Sequence, residues 1–398
     1  MSLAVPTSSE FPTLAREGLV YLDTAATSQT VRPAIEAMDR YYETYRASIH
    51  RGIYSIATEA TDAYELARER VARFTHSTVG ETVFTKNATE AVNLVAYAWG
   101  RANVGPDDLV VLSQMEHHAN IVPWQLLGCK LAYIPMSDDG VLDLDAYDAL
   151  LAQGPKLVAV AHVSNVVGTI NPVAEMIARA HAAGAVVLVD GAQAVPSLPV
   201  DIAELDADFY VWTGHKAYGP TGIGVLHGRR SILESMPPFL GGGHMIARVG
   251  DFESTWAEPP TRFEAGTMPI AEAIGLGEAV EWLASIGMEN VREHGRDVTA
   301  YALERFAEVP GLSIHGPADA DGRGSLISFA LDYAHPHDVA EILGRQGVCV
   351  RAGHHCAQPL MRRLGVPAST RASFAVHATR EDVDHLIDAL GKVQEIFG

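Results

Sequence analysis

The chain has 398 residues, 48% of them hydrophobic and 20% charged, with a formal net charge of −20. That length exceeds one ordinary domain and suits a large domain with a smaller one. A charge this negative repels nucleic acid and anionic membrane, which sets both partner classes aside.

No apolar run is long enough to span a bilayer. The start, "MSLAVPTSSEFPTLAREG", lacks the basic head and apolar core of a secretory leader. Three cysteines, Cys129, Cys349 and Cys356, form an odd and sparse set. They argue against a disulfide framework and for the reducing cytoplasm.

In chain order, "TDAYELARERVARF" has helical spacing. "NATEAVNLVAYAW" opens another helix, where Asn87 and Glu90 resemble a capping box. "LVVLSQ", "LVAVAHV", "AVVLVDGAQ" and "DFYVWTGHK" read as buried strands of a mostly parallel sheet. Between them "PVAEMIARAHAAG" is a helix stopped by glycine. This alternation predicts an α/β layered domain with its functional residues at the carboxyl ends of the strands. The Gly- and Pro-rich stretch from "GGGHM" to "FEAGT" is too long for a simple connection and predicts a functional loop or hairpin. A helical region over about 269–307 follows, and then "LISFAL", "PHDVAEILGRQG", "VCVRAG", "RASFAVH" and a terminal helix make a smaller α+β domain. We place the large domain at 20–284 and the small one at 285–398, with 1–19 packing on the latter.

Only five lysines occur: Lys86, Lys130, Lys156, Lys216 and Lys392. Lys130 and Lys156 lead into strands, Lys392 lies on the last helix, and a solvated surface accounts for all three; Lys86 stands near a helix start. Lys216 directly follows an apolar strand in "TGHKAYGPTGIGVL", where glycine and proline shape the backbone closely. A lysine so placed can form a Schiff base with pyridoxal phosphate. A lone lysine after a strand is more often structural, so this reading needs companions.

Three companions are present. Asp190 ends a buried strand, where it suits a protonated pyridine nitrogen as well as it suits a turn. The helix start at Asn87, with Thr89, can hold a phosphate or simply be capped. His117 and His118 follow "LVVLSQ". An imidazole there can stack on a ring or move protons, and two adjacent ones can also bind metal or lie on the surface.

The ordered set "YLDTAAT", "HRGIYSIATEAT", "NATEAVNLVA", "MEHHANIVPW", "HVSNVVGTINPV", "VDGAQAVP", "TGHKAYGPTGIGVL", "RFEAGT" and "RAGHHCAQPL" resembles the class V, fold type I pyridoxal-phosphate enzymes, in particular the Suf-type (group II) cysteine desulfurases and selenocysteine lyases. The likeness runs from about residue 20 to the C-terminus. It implies a large domain with a mostly parallel sheet between helices and a smaller α+β domain. By position it makes Lys216 the Schiff-base lysine, with Asp190 on the pyridine nitrogen, Gln193 on the ring hydroxyl and His117 stacked on the ring. Thr89, Thr213 and His215 would hold the phosphate, and Thr267 would reach the phosphate of the partner subunit in a homodimer. Asn165 and Arg371 would hold the carboxylate of L-cysteine, with Arg351 close by, and Cys356 would accept sulfur as a persulfide. The implied role is sulfur supply for iron–sulfur cluster assembly, through an acceptor protein of the SufE or SufU type. Two departures stand out: Ala88 replaces a usual hydroxyl residue, and "GTMP" stands where Gly-Thr-Pro is usual.

For "GHHCAQ" itself, imidazoles at His354 and His355, with Arg351, would favour the Cys356 thiolate, and the glycine would free the loop to approach the substrate. Three adjacent residues fit zinc-ligand spacing badly, so no metal is expected. Cys129 and Cys349 sit in apolar, strand-like contexts and read as buried thiols. Rival readings are a selenocysteine lyase, another class V aminotransferase or lyase, and a non-catalytic scaffold for a sulfur-transfer partner.

Overall fold

The structure is a computed structural model that describes residues 9–398. Seven strands form the main sheet: β1 (Thr82–Thr85), β2 (Leu109–Ser113), β3 (Lys130–Ile134), β4 (Leu157–Ala161), β5 (Val186–Asp190), β6 (Phe209–Thr213) and β7 (Gly224–Gly228). Their order is β1-β7-β6-β5-β4-β2-β3. Only β7 runs antiparallel to its neighbours.

Period-2 alternation explains why these runs are apolar throughout. Val111, Val158, Val160, Val187, Val189, Tyr210 and Trp212 feed the core on one face. Val110, Leu112, Leu157, Ala159, Leu188, Phe209 and Val211 feed the core on the other. Both faces are covered by helices, as a parallel sheet requires.

The Gly- and Pro-rich stretch contains an antiparallel hairpin, Ile246–Val249 with Ser254–Trp256. The helical region that follows is two helices, Ile270–Ile286 and Met288–Phe306, parted at Gly287 with φ +87°. Ordinary residues resist that left-handed backbone, so the glycine marks the break.

Four further strands, β8 (Leu312–His315), β9 (Leu326–Leu331), β10 (Arg351–Gly353) and β11 (Ser369–Ser373), form an antiparallel sheet in the order β8-β9-β11-β10. Ile327, Phe329, Ala372 and Phe374 share a third core with Phe306, Leu343, Leu386 and Leu390 from the flanking helices. Val20 and Leu22 join this third core, and Val20–Tyr21 pair in parallel with Val348–Cys349. Phe11 packs instead in the first core, against the rings of Tyr218 and Trp282 and against His377. Residues 1–8 of the expected N-terminal packing segment lie outside the described residues.

Candidate active site

The carboxyl ends of β2, β4, β5 and β6 open on one cavity of about 270 Å³. Thr89, His117, Asn165, Asp190, Gln193, Thr213, His215, Lys216, Arg351, Cys356 and Arg371 all line it. Thr267 does not: it is exposed, outside this cavity.

Lys216 ends the turn Gly214–Lys216 that leaves β6. The carbonyl of His215 anchors this turn by accepting from Ser28 N at 2.8 Å and Ser28 Oγ at 3.0 Å. Burial pushes the Lys216 amine down to about 8, with Asp190 opposing the shift. Asp190, also buried, accepts from Ala192 N through Oδ1, and its carboxyl is raised chiefly by lost hydration. The two sites therefore adjust each other's charge.

His117 is neutral. Its Nδ1 accepts from Ala119 N at 3.0 Å, and burial, with the Lys216 charge second, drops it to about 3. Directly before it, Glu116 is fully buried and held by Ser113 Oγ, by Asn120 Nδ2 at 2.7 Å and by Ala161 N at 2.8 Å. Burial raises its carboxyl to about 8. "MEHHAN" contained this brace, but nothing in its spacing marked it.

At the far side, the helix Ala88–Leu94 begins beside Thr213. Asn87 Oδ1 accepts from Glu90 N at 2.9 Å, while the Glu90 carboxylate accepts from Lys86 N, one residue beyond the Asn87 amide that a capping box would use. Gly224 permits this closeness, since a Cβ there would meet the Asn87 backbone at 2.5 Å. Thr213 Oγ1 is buried without a partner. A buried hydroxyl left unpaired beside a helix start and His215 fits a phosphate group. His117, Asp190 and Lys216 line the same cavity, and an imidazole, a buried carboxylate and a buried amine are the residue types that would suit pyridoxal phosphate.

Arg371, on β11, is buried. It donates to Asn165 O at 2.8 Å and to Asp23 Oδ1 at 3.3 Å, and its Nε has no partner. Asp23, in "YLDTAAT", carries no local sequence signal for this role. Asn165 Nδ2 donates to His355 O at 2.7 Å, and Gln193 Nε2 to Ala25 O at 2.8 Å, so each amide has one N–H left for a ligand.

The structure corrects the reading of "GHHCAQ" in two respects. His355 is buried and neutral, held at about 3 chiefly by lost hydration, and its Nε2 faces Ser369 O at 3.1 Å. His354 is exposed and its Nδ1 accepts from Cys356 N at 3.2 Å. The His355 imidazole is therefore no cation toward the thiol, and the His354 ring is taken up by the Cys356 backbone; Lys216 and Arg371 are the basic groups on which Cys356 acts. Nor is the loop free. Asn165 and His118 hold the carbonyls of His355 and Cys356. Among the described residues no group of three or more His, Cys, Asp and Glu is gathered for a metal. Cys129 lies in the turn before β3, not in a strand, and like Cys349 it is half-buried, with burial raising both thiols.

The fold and this cavity define a class. The aminotransferase class-V family model matches residues 20–386, and the chain belongs to that family. Within it, the chain is 50% identical over 385 residues to a cysteine desulfurase of Haloferax volcanii, covering 95% of this chain and 90% of the relative. It is 46% identical over 400 residues to a cysteine desulfurase of Escherichia coli, covering 98% of each. Among solved structures, the apo cysteine desulfurase of Thermococcus onnurineus superposes with a TM-score of 0.95 at 37% identity, over 100% of this chain and 99% of the other. The cysteine desulfurase CsdA of Escherichia coli, in an S-sulfonic acid form, gives 0.91 at 38% identity over 98% of each chain.

Proposed function

We propose that the protein is a cysteine desulfurase that converts L-cysteine to L-alanine and takes the sulfur onto Cys356. The observation that carries this reading is the placement of Cys356 and Arg371 in the same cavity as Lys216 and Asp190. A transaminase needs no thiol at that point.

Bound pyridoxal phosphate supplies an electron sink for the bonds at the substrate's α-carbon. Thr89, Thr213 and His215 would hold its phosphate, His117 its ring face, Asp190 its ring nitrogen and Gln193 its hydroxyl. Arg371 binds the cysteine carboxylate through its fork, with the remaining N–H of Asn165. Arg351 adds positive charge at the rim. Lys216 Nζ, with its amine near 8, is partly neutral at neutral pH and takes the α-proton. The Cys356 thiolate attacks the substrate sulfur. An S–S bond forms, the substrate Cβ–S bond breaks, its electron pair stays with carbon, and proton return yields L-alanine and a persulfide on Cys356.

In this proposal a second copy of the chain brings its Thr267 to the phosphate. The persulfide passes in the cytoplasm to an acceptor of the SufE or SufU type for iron–sulfur cluster assembly. No helix among the described residues is long and apolar enough to cross a membrane.

The test is to supply the purified protein with pyridoxal phosphate, L-cysteine and a thiol reductant, and to measure alanine and sulfide together. Equal amounts of both are expected. Cys356→Ala should abolish alanine formation from L-cysteine and keep part of it from L-selenocysteine, since selenide leaves more readily. Wild-type protein that forms alanine only from L-selenocysteine would make it a selenocysteine lyase.

A further inference from the structure

One residue fastens the Cys356 loop at two points. His118 begins the short turn His118–Asn120 beyond β2. Its backbone N–H donates to Cys356 O at 2.7 Å, and its ring Nε2 accepts from Gln358 N–H at 2.9 Å. Both bonds fall on the carboxyl side of the cysteine, at its own carbonyl and at the amide two residues on, and they join the main sheet's edge of the cavity to the segment that follows β10. The backbone that runs into this anchor is unusual: His355 and Cys356 have φ +51° and +57°, two successive non-glycine residues in the left-handed region. Such a conformation persists only where its surroundings hold it. His354 is drawn into the same arrangement, with its ring 5.7 Å from that of His118.

We propose that His118 is a positioning residue for sulfur transfer: as a neutral imidazole it fixes the left-handed Cys356 peptide, and with it the direction of Sγ, without taking part in cofactor or substrate binding. The proposal deepens the desulfurase reading and rests on it. Its chemistry is simple. Nε2 accepts only while unprotonated, and a proton there would set one N–H against another. Burial, then the neighbouring His354, moves His118 below the ordinary imidazole value and favours the accepting form at neutral pH. The titratable groups that face it are His117 on its own segment and His354 and Cys356 on the loop.

The experiment uses the holoenzyme with L-cysteine in single turnover, stopped at short times, and follows the sulfur mass added to the Cys356 peptide. His118→Ala removes the acceptor. His118→Gln restores one of similar reach that does not titrate. Both variants should keep wild-type cofactor absorbance and a KM for L-cysteine within about twofold. His118→Ala should form the persulfide about tenfold more slowly, in keeping with one lost hydrogen bond. His118→Gln should stay within about threefold of wild type and lose less rate on acidification. A wild-type rate in His118→Ala overturns the proposal. So does a His118→Gln variant no faster than His118→Ala, or one with the wild-type acid dependence. Wild-type protein that places no sulfur on Cys356 would overturn the desulfurase reading itself, a result distinct from the others.

Discussion

Arg371 and Asp23 form an ion pair at 3.3 Å in which the guanidinium is only 2% exposed and the carboxylate 22%. Lost hydration drives Asp23 up while the Arg371 charge draws it down, and Arg371 itself falls to about 10, chiefly through burial. Asp23 thus stabilises a buried cation whose Nε is unpaired. A substrate carboxylate finds that cation already charged and oriented.

Arg371→Ala should therefore raise the KM for L-cysteine roughly 10- to 100-fold, the range for a charge-assisted hydrogen bond to a desolvated carboxylate. Steady-state kinetics on alanine release checks this. An unchanged KM with a lower kcat would assign Arg371 another role.

The Lys216 amine gives a pH signature. Its neutral fraction rises with pH through about 8, where an ordinary lysine would require a pH above 10. Attachment of pyridoxal phosphate to cofactor-free protein, trapped with borohydride and mapped by mass spectrometry, should follow that rise on Lys216. Asp190 raises the amine, so Asp190→Asn should move the rise to lower pH. Labelling of Lys86, or a rise centred near 10, would contradict the assignment.

Acid should weaken the fold. His117 and His355 are held at about 3, and His162, His215, His227 and His377 at about 4, all chiefly by burial. Each folded-state value lies below the unfolded one. Their stability contribution is present above about 6.5 and is lost as pH falls toward 3–4, because the unfolded chain then binds the extra protons. Glu116, Asp190 and Asp23 are raised and act in the opposite sense, but they are fewer. Thermal unfolding should show a loss of a few kcal/mol between pH 6.5 and 5.5, at about 1.4 kcal/mol per proton per pH unit. A melting temperature that rises over this range would contradict the burial argument.

Much of this site was legible because strand ends mark it. Asp190 and Thr213 terminate apolar runs, and Lys216 follows one at once, so position along the chain predicted position in space. The strand "TVFT" and the antiparallel run of "GVLHG" escaped, since four or five residues carry too little periodicity to be told from a turn. The Cys356 loop was misread for another reason. Its bonds reach Asn165 and His118, which lie 190 and 240 residues away from their partners. No local pattern encodes such a contact, whereas composition alone made the histidines look cationic and the glycine look mobile.

The central claim, that sulfur passes to Cys356, is tested most directly by brief exposure of the holoenzyme to L-cysteine, followed by digestion without reductant and mass spectrometry. The account predicts one added sulfur on the peptide containing Cys356, removed by a thiol reductant. Added sulfur on Cys129 or Cys349 instead, or alanine formed at full rate by Cys356→Ala, would contradict it.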